Sequence, residues 1–434
     1  MLERVFQISS NQTTIRTEFL AGITTFLATM YIIVVNPGII QETGMPFNGI
    51  LTATVLVSAF SSIAMGIYAN NPIVLAPGMG LNAFFTYSVV IGMNIPWSVA
   101  LGAVFWSGVV FLLLSVFNIR TLIVRAIPRQ LRFAIAGGIA LFITLIGFSK
   151  AGFVIANPAT IIGPGSLNAT TLTFVFGLAV TGILLVFRIR GALIIGIALT
   201  TLASIPVGRL WGESLSPLVI WKGLFALPDL SLIFRLDFIE SLKFAMIPVI
   251  FSFLFTDMFD SLSTLVGVAE AGNIKDSTGE PKNIKESLIV DSFATAISGI
   301  LGSSSGTCYI ESATGIEQGG RTGLTSVVCG LLFLPFMFMS PLLSMVPAIA
   351  TSPALVLVGV FMMKPVADIK WDELDNAIPA FLALVLIPLT YSITQGIIWG
   401  FLSWTVIKLA TGKKHDVSFT LLVIDFFAIL ALAI

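Results

Sequence analysis

Apolar residues in this chain come in long blocks rather than alternating with polar ones, and a block of about 20 is enough to cross a bilayer as an α-helix. Reading the blocks in order predicts membrane segments at 18–40, 49–69, 73–92, 97–117, 129–147, 169–187 and 191–207. A mixed-charge stretch from Gly208 to Leu242 follows. A second set is predicted at 243–269, 284–301, 305–318, 322–340, 352–363, 376–391 and 393–410. The stretch from Phe419 to Ile434 is also apolar but carries Asp425, and its pattern leaves open whether it crosses, lies flat or packs on the bundle.

Basic residues test this count, because loops on the cytoplasmic face collect Lys and Arg. With the N-terminus inside, seventeen of the 22 Lys and Arg residues fall on the inner side, among them Arg120, Arg125, Arg188, Arg190, Lys275 and Lys364. The outer side holds Lys150, Arg209, Lys222, Arg235 and Lys243, and all but Lys150 lie in or beside the long connection between the two sets. One missed or invented span would invert the pattern beyond it. The expectation is therefore a multi-pass protein of the cytoplasmic membrane with both termini inside. The polar stretch Met1–Arg16 lacks the apolar core and cleavage site of a removable signal peptide.

An internal repeat refines this picture. Phe187-Arg-Ile-Arg-Gly-Ala-Leu-Ile-Ile-Gly196 aligns with Tyr391-Ser-Ile-Thr-Gln-Gly-Ile-Ile-Trp-Gly400, each late in its set of seven. An odd number of spans places the second copy upside down in the bilayer, the inverted repeat of many secondary transporters. Such folds bind substrate near the midplane, where interrupted segments of the two halves meet. Asn71–Phe85, with Pro72, Pro77, Gly78 and Gly80, is one interrupted segment; Ile73–Ala76 suits a short strand. Gly302–Gly315 is the other, too polar and glycine-rich for a lipid-facing helix. Extended backbone at membrane depth needs its amides paired. The two strands are thus expected to pair, each leading into a half-helix whose N-terminus points at the centre and favours an acceptor-rich ligand.

Composition agrees. The chain is 56% hydrophobic and 10% charged, with mean hydropathy +1.02 and zero net charge. That is too few charges to cover a soluble fold of this size, and the balance excludes nucleic acid as a partner. Lipid is the expected surroundings. Cys308 and Cys329 make neither a disulfide framework nor a zinc site, and the single histidine, His415, sits in a polar tail. Metal or histidine chemistry has no residues to work with, and no cofactor is expected. The absence of a G-x-x-x-x-G-K-[ST] sequence disfavours an ATP-driven pump.

Carboxylates inside spans cost about 2.5–3.5 kcal/mol on insertion scales, so each is a functional candidate. Asp257 and Asp260 occupy neighbouring positions on one helical face, with no Lys or Arg beside them in that helix. Glu311 falls at the start of the second half-helix, and Asp291 near the start of its span. A carboxylate held without a cation can exchange a proton as well as contact a ligand. Asp257, Asp291 and Glu311 are therefore the expected proton-coupling residues. Asn82, on the first half-helix, both donates and accepts hydrogen bonds, which suits a heterocycle edge, and Phe84 and Phe85 offer flat rings.

At these residues the chain resembles the nucleobase–cation symporter family, in its azaguanine-like branch of hypoxanthine, adenine and guanine permeases. The resemblance runs through Gly22–Tyr31, Asn36-Pro37, Ala76–Phe85, Asp257-Met-Phe-Asp260, Thr264–Ala269, Tyr309-Ile-Glu-Ser312, Gly319–Leu324 and Ile378–Phe381. It implies an all-α polytopic membrane protein of 14 transmembrane segments in a 7+7 inverted repeat, with the two half-strand/half-helix segments in its core. It further implies a core domain over 1–117 and 243–345 and a gate domain over 118–207 and 346–410. Residues 208–242 would connect the halves, and 411–434 would form a C-terminal segment. The core would carry a purine nucleobase past the gate with a proton as the coupling ion, and the gate would form a homodimer. By motif match Asn82, Asp257, Asp260 and Glu311 are the principal site residues, with Phe84, Tyr309 and Ser312 beside them. The uracil branch reads Tyr-Gly-Glu-Asn where this chain has Tyr309-Ile-Glu-Ser312, which gives Glu311 the base-binding role. Asp257 and Asp260 replace that branch's Glu and His, which favours purines.

Two other functions fit parts of the pattern. An anion carrier would use the helix ends, but converging carboxylates oppose it. An intramembrane aspartyl protease needs two aspartates close enough to share a proton, expected on separate helices, and Asp257 and Asp260 share one.

Overall fold

A computed structural model of the protein describes residues 2–117, 128–211, 216–272, 274 and 281–433. Arg120, Arg125 and Lys275, assigned above to the inner side, lie outside the described residues. Each predicted segment coincides with a helix or with a strand and a short helix, and among the described residues eight helical stretches are long and apolar enough to cross a membrane.

The first segment is α1 (Ile15–Thr29), capped by the Thr14 hydroxyl, and α2 (Ile32–Ile40), which contains Pro37. Then come α3 (Phe47–Ala64), β1 (Leu75–Pro77), α4 (Met79–Ala83), which continues in wider π-type turns to Gly92, and α5 (Trp97–Val116). The remainder of the first half is α6 (Arg129–Lys150), α7 (Ala169–Val186) and α8 (Ala192–Ser204). Between α6 and α7 a surface hairpin forms from β2 (Val154–Asn157) and β3 (Ile161–Pro164), an addition to the all-α expectation.

The second half begins with α9 (Ile247–Gly272) and α10 (Ile284–Leu301), which ends at Gly302 in a left-handed conformation. It continues through β4 (Gly306–Cys308), α11 (Ser312–Glu317), α12 (Gly323–Phe333) and α13 (Ala348–Met362). Last are α14 (Leu374–Thr390), α15 (Ile393–Ala410) and α16 (Phe419–Ala433). α16 packs on α15, where the Asp425 carboxylate accepts a 2.5 Å hydrogen bond from Thr405.

Helices sort into two packed groups. α5 packs on α10, and α12 on α1 and α3; separately, α13 and α14 pack on α6, α8 on α7, and α15 on α14. The internal repeat marks equivalent places in the second group. Phe187–Gly196 makes the α7–α8 turn and Tyr391–Gly400 the α14–α15 turn. A side chain at Gly196 would strike Thr181 of α7, and one at Gly400 would come within 2.8 Å of Ala383 of α14. Both glycines let the second helix of the pair lie close against the first.

In the interior, β1 and β4 pair antiparallel with Leu75 opposite Cys308, Ala76 opposite Thr307 and Pro77 opposite Gly306. Hydroxyls from surrounding helices satisfy this short ribbon's edges, as buried backbone requires. Ser62 of α3 accepts from the Leu75 N–H and donates to its carbonyl, both at 3.1 Å. Ser261 of α9 accepts from the Cys308 N–H at 3.2 Å, and Thr295 of α10 donates to the Gly306 carbonyl at 3.0 Å. Pro77, which has no N–H, leaves no orphan donor, and its carbonyl takes a 2.6 Å bond from the Tyr309 hydroxyl. The ribbon thus locks the two halves together and aims α4 and α11 at one place.

Candidate substrate site

Where α4 and α11 approach α9 and α13, the structure leaves a small, half-open cavity of about 50 Å³. Asp260 and Thr264 of α9, Thr307 and Cys308 of β4, and Tyr309 and Glu311 at the start of α11 line one side. Tyr31 and Gly80 add to it, and Val358, Phe361 and Met362 of α13 form the opposite apolar wall. A side chain at Gly80 would come within 2.5 Å of Ile139, so glycine there lets α4 pass close to α6.

Glu311 is the N-terminal cap residue of α11, but its side chain does not cap that helix. One carboxylate oxygen instead accepts a 2.8 Å hydrogen bond from the Tyr31 hydroxyl, at the break between α1 and α2. This bond holds the carboxylate at the cavity edge. Asp260 and Thr307 line the same cavity as Glu311. Among the described residues, neither acid has a salt-bridge partner.

The other predicted residues sit behind this wall. Asp257 is completely buried and accepts a short hydrogen bond from Thr295, and its second oxygen has no partner among the described residues. Asp291, equally buried within α10, has the Cys308 sulfur 3.7 Å from one oxygen. Asn82 is fully buried, and its carbonyl accepts from Ser304. Phe84 packs edge-on against Phe253 at 4.8 Å between ring centres, with Phe85 beside it. Ser312 accepts a 3.0 Å hydrogen bond from the Val74 N–H, which extends the ribbon rather than facing the cavity. Asn82, Phe84, Asp257, Asp291 and Ser312 are not part of the cavity lining, whereas Asp260, Tyr309 and Glu311 are.

The sequence reading did not single out Tyr31 as a site residue. A tyrosine inside an apolar span carries a hydroxyl that must find a partner, and that was the available signal. Val358, Phe361 and Met362 had none, since apolar residues on a spanning helix look alike whether they face lipid, protein or a cavity.

A family model described as "Permease family" (Xan_ur_permease) matches residues 16–398. The chain belongs to this permease family. It is a transporter and not an enzyme. The permease is 42% identical over 421 residues to "Adenine permease AdeP" of Escherichia coli (strain K12), covering 96% of this chain and 93% of that one. It is 39% identical to "Guanine/hypoxanthine permease PbuO" of Bacillus subtilis (strain 168), covering 95% and 96%. Among solved structures its fold is similar to the transmembrane domain of the cyanobacterial bicarbonate transporter BicA. That match has a TM-score of 0.65 at 15% identity and covers 89% of this chain and 97% of that chain. SLC26A9 matches with the same TM-score at 10% identity, over 92% of this chain and 66% of that one. These two likenesses concern the fold of a multi-pass membrane protein.

Proposed function

We propose that the permease imports purine nucleobases (adenine, guanine or hypoxanthine) by proton symport. The observation that carries this reading is the convergence of two unpaired acids, Asp260 and Glu311, on one cavity with an apolar wall opposite. A purine presents N–H donors along its edge and two flat faces. Ionised carboxylates accept from N–H groups and repel anions, while Val358, Phe361 and Met362 cover a face. The names of the relatives, adenine permease and guanine/hypoxanthine permease, support the same substrate class.

In this reading Asp260 and Glu311 hold the base, with Tyr309 and Tyr31 fixing their surroundings. Asn82 and Ser312 position the half-helices. Asp257 and Asp291 exchange the coupling proton behind the site. The fourteen segments form a 7+7 inverted repeat, with core at 1–117 and 243–345 and gate at 118–207 and 346–410. The core travels against the gate in an elevator-like movement, and the protein sits in the cytoplasmic membrane with both termini inside, as a homodimer through the gate. Radiolabelled adenine, guanine and hypoxanthine uptake in a permease-deficient cell, with and without a protonophore, tests it. Uptake that competes with purines and collapses with the proton gradient is expected. Competition by sulfate or bicarbonate but by no purine would discard it.

A further inference from the structure

Beside the substrate cavity lies a second, larger space of about 1550 Å³, part of it open, between α1 and α11 on one side and the α7–α8 turn and α13 on the other. Arg188, Arg190 and Lys364 line it, residues that the charge pattern assigns to the inner face. Among the described residues, Glu311 and Phe361 line both spaces and no other side chain does. Cavity and vestibule thus meet at Glu311 and Phe361, one from each packed group. Glu311, tied to Tyr31, belongs to the α1–α11 side. Phe361, next to the last residue of α13, belongs to the other packed group and is only half-buried.

We propose that Phe361 is the inner plug of the permease, the side chain a base must displace to pass from the cavity into the vestibule. The inference rests on the transport reading above. A wall built wholly from one packed group would move with its contents and never open. A wall with one half on each group parts when the groups shift against each other. An aromatic ring suits the gate half: it is broad and apolar enough to exclude water, and a flat heterocycle can slide past its flat face. Glu311 on the travelling core half makes the passage depend on what that carboxylate holds. Phe361 thus acts as a positioning and sealing residue that separates the bound base from the inner aqueous space.

The protein carries its own reporter. Cys308 lines the cavity, and Cys329 is buried elsewhere, so Cys329→Ser leaves one native thiol to read. A membrane-impermeant methanethiosulfonate, added to inside-out vesicles, approaches Cys308 from the vestibule past Glu311 and Phe361. Phe361→Ala is expected to raise the labelling rate at least about fivefold, because modification follows thiol access, with Phe361→Leu between the two. Saturating purine is expected to slow it again. Thr264→Cys, in a Cys308→Ser, Cys329→Ser background, gives a second reporter inside the cavity. Thr314→Cys, on the vestibule side, is expected to label equally with Phe or Ala at position 361. Equal rates in wild type and Phe361→Ala at both cavity reporters, while Thr314→Cys still reacts, would overturn the plug. Failure of the wild-type protein to take up any purine would instead strike the transport reading, and the labelling rates would still decide the wall.

Discussion

Asp260 and Asp257 lie three residues apart on α9, yet they occupy opposite worlds. Asp260 opens onto a cavity with Glu311 nearby, while Asp257 is sealed with Asp291 behind the β1–β4 ribbon. The difference comes from what each meets across the bundle. Asp257 is caught by Thr295 of α10, whose hydroxyl also bonds the ribbon at Gly306. Asp260 faces the gap left between the ribbon and α13. An acid on the cavity can bind a donor-rich ligand; an acid without an opening can only exchange a proton with its surroundings. Two acids one helical turn apart thus differ in access, and on the proposed reading the open one binds and the sealed one couples.

Mutations can break this comparison. The largest effect is expected for Glu311→Gln: losing a charge-assisted bond to the base should lower purine uptake about 10- to 100-fold. Measured initial rates near wild type would remove Glu311 from the site. Asp257→Asn should sharpen the contrast by separating exchange from accumulation. Accumulation against a gradient should fall about tenfold, as expected for a lost coupling free energy, with counterflow exchange little changed. Equal losses in both assays would put Asp257 in substrate binding after all. Tyr31→Phe removes one hydrogen bond to Glu311 and should raise the KM for purine about three- to tenfold, readable in a saturation curve. The smallest effect is expected for Phe84→Leu, which should cost about 1 kcal/mol of stability through lost packing on Phe253. Thermal unfolding in detergent measures that cost, and uptake should simply follow the amount of folded protein; a raised KM would bring Phe84 back to the ligand.

Much of the fold was legible because each cue was local. The half-strand at Leu75–Pro77 follows from prolines and glycines that forbid an unbroken helix, and its partner at Gly306–Cys308 from a run too polar for lipid. The repeat between Phe187–Gly196 and Tyr391–Gly400 was legible for the same reason, since both are tight turns followed by a helix that needs a glycine at its contact. The hairpin Val154–Pro164 lies in a loop, where hydropathy carries no topological signal, so the pattern does not mark it. On the cavity lining, the chemistry of Asp260, Tyr309 and Glu311 marks them in the sequence as candidates, and that of Tyr31, Val358, Phe361 and Met362 does not. Whether an apolar side chain on a spanning helix faces lipid or ligand depends on its neighbours rather than on its own type.

By itself, the order of residues determined where helices run, where they break, and that Asp257 and Asp260 lie in an apolar span with no Lys or Arg beside them. In lipid each helix must satisfy its own backbone, so hydropathy and helix breakers act segment by segment. Only the tertiary structure decided which acid meets the cavity, which is sealed, and which side chains close the wall between cavity and vestibule. Those outcomes depend on contacts such as Tyr31 with Glu311 and Thr295 with Asp257, and packing between distant segments is not written in any one of them.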